Sequence, residues 1–327
     1  MSTEEKKKKN KKNAVLYKEM TIDMKRPKIV IIMLLLNLFI APVAIGFFIG
    51  ILIASMNGVC SYRVLAWYLI VMVYLEASVL FFITPAITAG SISLEKERQT
   101  LDVLLTTRMT PWEIIKGKYG SNLIFLSLMV VSTFPLLALV FIYGGISFIQ
   151  LIYLGLTLMV FIAFISCFGI FFSTLTKNTI LSVILTYLFV SIYMTFTLAL
   201  PFILLGGVAF VNDWLYNTQT YITITDEHLI NGDILVMFGT FSPILTLFDV
   251  IGNTIGYQIG IGESVKGMIS LCETEIMPHF TRDNIIVKSW TPISLVEMSL
   301  ISFLVLRLSA VILNPVKGKK KKKVNKK

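Results

Sequence analysis

The chain has 327 residues, 56% hydrophobic and 15% charged, with a net charge of +10 and a mean hydropathy of +0.81. A soluble domain carries about a quarter charged residues, so this composition excludes one. It leaves a polytopic, all-α membrane protein, whose spanning helices each need about 20 apolar residues.

Residues 1–28 carry ten Lys and Arg against four acids. They do not read as a cleaved leader, because the apolar run at 29–55 is too long and Asn57-Gly58-Val59-Cys60 is a poor processing site. Leu16, Met20 and Met24 fall at i, i+4 and i+8, flanked by Lys18, Lys25 and Arg26. Two readings stay open there: an amphipathic helix in the headgroup plane, or a plain basic juxtamembrane tail.

Six spans follow, at 29–55, 65–90, 118–143, 148–174, 179–200 and 291–313. With the N-terminus inside, the tail, the loop 91–118, the Lys177 turn and the C-terminal tail hold 10, 5, 1 and 8 basic residues. That is 24 of the 29 in the chain. Cytoplasmic segments are enriched in Lys and Arg, so both termini are expected in the cytoplasm and the chain in the cell membrane. Trp67, Trp112, Trp214 and Trp290 all fall near expected span ends, where tryptophan concentrates.

The loop 91–118 is the long polar interruption between spans two and three. Glu95-Lys96-Glu97-Arg98 alternates in sign, and Leu94, Leu101, Leu104 and Leu105 gather on one face of a short helix. After a break at 106–109, Thr110, Pro111 and Glu113 supply the N-cap, N1 and N3 residues of a capping box. That second helix runs through Lys116, Gly117 and Lys118 into the third span.

Beyond span five, the region 211–288 is acidic, with nine Asp and Glu against three basic residues. Within it, the apolar stretch 234–251 is broken by Gly239 and Pro243. A seventh span there would put the Lys-rich tail outside, so two short helices dipping back from the outer face are expected. Glycines 252, 256 and 260 follow, in either a packed helix face or a loop.

Chemistry-bearing motifs are scarce. No GxxxxGK[ST] is present, nor HExxH or GxSxG. His228 and His279 lack ligand spacing, so neither a metal site nor a catalytic residue is expected. Cys167 lies in a span and is expected to pack. Cys60 and Cys272 fall on the outer side and are expected as free thiols, with a bridge as the alternative. Glu76 and Glu297 fall inside spans two and six, at similar depth. They line a pathway, or they sit neutral or solvated at a packing contact. Arg307 is near enough to the inner surface to snorkel, and Gly46-x-x-x-Gly50 is a weak helix-contact pattern.

Glu95 through Leu105, then Met109-Thr110-Pro111 and Ile114-Ile115-Lys116-Gly117-Lys118, resemble the cytoplasmic loop of type 2 ABC transporter permeases. The six-span layout, the amphipathic N-terminal segment at Leu16-Tyr17-Lys18-Glu19 and the dipping outer segment are similar too. The match departs at Gln99, where the family commonly has Gly, so a more continuous helix is expected here. The resemblance implies that 94–105 is a coupling helix seated in a groove of an ATP-binding subunit. Leu94, Leu101, Leu104 and Leu105 would anchor it, and Glu95, Glu97 and Arg98 would form its rim. Thr110, Pro111, Glu113, Gly117 and Lys118 would connect it stiffly to the third span. It further implies that ATP and Mg are bound by that partner, with no cofactor in this chain. A second permease copy or paralogue would complete the pathway, in contact with the bilayer and with no nucleic acid. The expected organisation is a tail at 1–28, a permease domain at 29–313 with an outer region 211–290, and a tail at 314–327. The alternative is an ATP-independent carrier, channel or scaffold.

Overall fold

The computed structural model describes residues 27–56, 62–101, 110–142, 147–218, 237–255 and 289–313. The described elements are helical. In chain order they are α1 (Pro27–Met56), α2 (Tyr62–Thr88), α3 (Gly90–Glu97), α4 (Pro111–Ile142), α5 (Phe148–Leu175), α6 (Thr179–Thr218), a 3-10 turn (Met237–Phe241), α7 (Pro243–Ile255) and α8 (Trp290–Ile312). Six helices are long and apolar enough to cross a membrane: α1, α2 with α3 running on from it, α4, α5, α6 and α8.

α5 is the axis. Two-thirds of its apolar window (67%) is buried, against 17–39% for the other five. Its small residues explain this. A Cβ on Gly155 would collide with the Phe134 ring of α4, and one on Gly169 would collide with the Thr88 side chain of α2. Glycine at these two positions lets neighbouring helices approach to backbone range. α1 lies at the rim, where Leu34, Leu35, Leu38 and Phe39 are exposed, as lipid-facing side chains are.

Two boundaries differ from the sequence reading. α6 does not end at Leu200 but carries Pro201 inside it and continues to Thr218. Its 40 residues make it about 60 Å long, twice a hydrocarbon core of about 30 Å. The helix after Leu94 is not continuous to Leu105 either. α3 stops at Glu97, and Gln99 adopts a φ of 58°.

The broken apolar stretch does form two short elements, the 3-10 turn and α7. Ser242 separates them, and Pro243 takes the first position of α7, where a missing N–H costs nothing. They pack on α8 through a line of hydroxyls. Thr246 Oγ1 lies 2.5 Å from Ser294 Oγ, Ser294 donates to the Thr240 carbonyl at 2.5 Å, and Thr291 donates to Asp249. Gly239 lies against the Trp290 indole, with no room for a Cβ.

The segment 13–26, both lysine-rich tails, Cys60, Cys272, His228, His279, Gly256 and Gly260 lie outside the described residues. Cys167 is buried and unpaired.

Candidate functional site

α3 is the polar end of the second long helix, and three other spans hold it. Its N-cap, Ala89, offers no side-chain acceptor. The first N–H groups of a helix need partners from elsewhere, and Ser173 of α5 provides one. Its Oγ accepts from Ile92 N at 2.8 Å and Ser93 N at 2.7 Å. Ser182 of α6 donates to the Ala89 carbonyl at 2.8 Å, and Asn122 of α4 donates to Ser91 Oγ at 2.6 Å.

The alternating charges are distributed among the same three spans. Glu95 pairs with Lys118 of α4 at 2.7 Å. Lys96 donates to the carbonyls of Ser173, Thr174 and Thr176, so its cation sits on the C-terminus of α5. Cations are favoured there by the aligned peptide dipoles. Glu97 accepts from Thr179 Oγ1 at 2.6 Å, which places a carboxylate at the N-terminus of α6. Glu95 and Glu97 brace α3 against the bundle, and Leu94, Glu97, Arg98, Gln99 and Thr100 are exposed.

The end of α3 follows from Gln99. Gln99 N donates to the Lys96 carbonyl at 3.1 Å and Thr100 N to the Glu95 carbonyl at 2.9 Å. These are the paired bonds of a Schellman C-cap, which requires a left-handed residue between them. The chain therefore keeps at Gln99 the turn that Gly would make easily. The turn sends Leu101 inward, where it is 7% exposed and part of the chain's own core. This corrects its assignment as an anchor for a partner. Leu94 is 40% exposed, and Leu104 and Leu105 lie outside the described residues.

The connection to α4 forms as expected. Thr110 N donates to Glu113 Oε2 at 3.0 Å, and Glu113 N donates to Thr110 Oγ1 at 3.3 Å. Pro111 opens the helix, Gly117 is buried, and Lys118 points back to α3. Trp112 lies edge-on to Phe303 of α8, with the Arg307 guanidinium 4.3 Å from its ring centre. α4 thus touches both α3 and the far end of the last span.

The intramembrane carboxylates have separate partners. Glu76 is 1% exposed and faces Thr133 of α4. Glu297 accepts from Thr240 at 2.7 Å and so belongs to the hydroxyl line holding the short elements on α8. Neither lines the open groove of about 370 Å³ between α2, α5, α6 and α7, which is walled by Tyr74, Ser78, Phe81, Met194, Thr195 and Leu247 among others. Among the described residues, no three His, Cys, Asp or Glu side chains gather as a metal would require.

No protein-family model matches the chain, and a search of curated proteins finds no relative. The residues that sequence reasoning missed are Ser173, Thr179, Ser182 and Asn122. Each is a small polar side chain inside an apolar helix, and that was the available clue. Their partners lay 80 or more positions away for three of them and 31 for Asn122.

Proposed function

We propose that this chain is the membrane-spanning subunit of an ATP-driven exporter, similar to type 2 ABC permeases, and that α3 with its exposed turn receives the motion of a separate ATP-binding subunit. The observation that supports this reading is the bracing of α3. Ion pairs and hydrogen bonds to α4, α5 and α6 make it a handle on three spans at once. A surface loop without a mechanical role has no use for that stiffness. The Lys and Arg of the tails support a cytoplasmic position for α3, where ATP is. A second permease chain completes the pathway, and the 3-10 turn and α7 dip from the outer face. Among the described residues the partner surface offers Leu94 as apolar contact, with Glu97, Arg98, Gln99 and Thr100 as polar surroundings.

The test is affinity purification of the full-length chain from its native membranes, to see whether a P-loop ATPase co-purifies, followed by measurement of hydrolysis. Leu94→Ser combined with Arg98→Glu should release the ATPase and abolish its stimulation, while membrane insertion and thermal stability stay unchanged. If that double variant retains the ATPase with full coupling, α3 is not the contact. The buried carboxyl of Glu76 favours the second reading, an ATP-independent carrier or channel. Transport by the chain alone in liposomes, with no ATPase present, would establish that reading instead.

A further inference from the structure

Two hydrogen-bond relays stand side by side on α4, one residue apart. In the first, Asn37 of α1 donates its amide N–H to the Met33 carbonyl at 3.0 Å and to Ser132 Oγ at 3.0 Å. Ser132 in turn donates to the Met129 carbonyl at 2.7 Å. The direction of that relay is fixed, because a backbone carbonyl only accepts. A donor on a neighbouring span feeds a hydroxyl, and the hydroxyl feeds the backbone of α4.

The second relay has the same form. Thr133 Oγ1 lies 2.8 Å from the Val130 carbonyl and 2.5 Å from Glu76 Oε1. Thr133 carries one hydroxyl hydrogen for two oxygen neighbours. If that hydrogen goes to Val130, as Ser132's goes to Met129, the hydrogen between Thr133 and Glu76 must come from Glu76. An ionised carboxylate has none to give.

The surroundings agree. Glu76 is 1% exposed, and its other oxygen, Oε2, is buried without a hydrogen-bond partner. An anionic oxygen left so would be far more costly than the carbonyl oxygen of a neutral acid. Among the described residues no cation pairs with Glu76. The polar side chain in contact with Glu76 is Thr133 of α4; Ser132, next to it on α4, is paired with Asn37 of α1. None of them supplies a positive charge.

We propose that Glu76 is a proton-binding site, occupied in the folded chain at neutral pH. Its carboxylic O–H donates to Thr133 Oγ1, and Thr133 donates to the Val130 carbonyl. The proton fastens α2 to α4 beside the contact that Asn37 makes from α1. Its release would leave a bare charge among three spans. This assignment is independent of the transport reading, since it concerns one hydrogen and its partners in any chain with this packing.

Infrared difference spectroscopy on the purified full-length chain in lipid, at neutral pH, tests it. Wild type minus Glu76→Gln should show loss of the C=O stretch of a neutral carboxylic acid. Thr133→Val, which removes the acceptor, should move that band to higher frequency, and Thr133→Ser should leave it in place. If the Glu76→Gln difference shows loss of carboxylate stretches with no neutral-acid band, Glu76 is ionised and the proposal is overturned. Where Glu76→Gln does not accumulate in the membrane, wild type minus Thr133→Val reads the same point. A displaced neutral-acid band supports the site, and displaced carboxylate bands overturn it.

Discussion

Lys118 Nζ lies 2.7 Å from Glu95 Oε1, joining the short helix α3 to the second turn of α4. The lysine side chain is 8% exposed and the glutamate 25%, and Glu95 Oε2 is buried with no other partner. Removing one member of such a pair strands the other, so Lys118→Met should destabilise by about 1.5–3 kcal/mol. Glu95→Gln with Lys118→Met should lose less than the two single losses added together, because no charge is left behind. Thermal unfolding of the three variants in one detergent measures this. Simple additivity would mean the pair carries no coupling.

Gln99 holds a left-handed conformation that costs a non-glycine residue about 1–2 kcal/mol. Gln99→Gly removes that strain but loosens the unfolded chain, so the net gain should be about 0.5–1 kcal/mol. Gln99→Val should destabilise, since a β-branched residue fits a positive φ worst. Opposite shifts in melting temperature for the two variants are the expected result. A destabilising Gln99→Gly would show that the side chain itself matters more than the backbone.

The hydroxyl line between α7 and α8 should behave as a latch. Thr246→Val removes the contact with Ser294, and Thr240→Val removes the donor to Glu297. Each should cost about 1 kcal/mol, the usual size for a hydroxyl bond between packed helices. Hydrogen exchange should quicken in residues 237–255 and remain unchanged in α5. Uniform acceleration through the whole bundle would instead assign these hydroxyls to global stability.

Orientation is testable with single cysteines on a background lacking Cys60, Cys167 and Cys272. A membrane-impermeant thiol reagent applied to intact cells should label a cysteine at Glu263 and leave one at Lys320 unlabelled. Labelling at Lys320 would reverse the assignment drawn from the basic residues.

Local rules made much of this legible before any coordinates. Long apolar runs placed the spans, because every backbone group in lipid must bond within its own helix. Thr110, Pro111 and Glu113 announced their cap because its partners lie three residues apart. Gly239 and Pro243 announced the break between the 3-10 turn and α7. What failed depended on distant neighbours. The charges of Glu95, Lys96 and Glu97 looked like the polar face of a short helix, since nothing in their spacing reveals that three helix ends converge on them. The absence of Gly at position 99 suggested an unbroken helix, yet packing of Leu101 into the core imposes the turn regardless. Glu76 and Thr133 are 57 positions apart, and only the crossing of α2 with α4 makes them partners.

Proline is distributed unevenly among the spans. α1, α2, α4 and α6 each carry one in their interior, at Pro42, Pro85, Pro135 and Pro201. Each lacks the N–H that would tie it to the carbonyl four residues earlier and so marks a point where its helix bends cheaply. α5 has no such joint, and α8 has its proline only in the first turn. The bundle therefore resembles a stiff mast and stay ringed by jointed staves. α3 is fastened to both kinds of member: to the mast through Ser173 and Lys96, and to jointed α4 and α6 through Glu95 and Glu97. Any displacement of α3 would load the mast without flexing it and would be taken up at the joints of the staves.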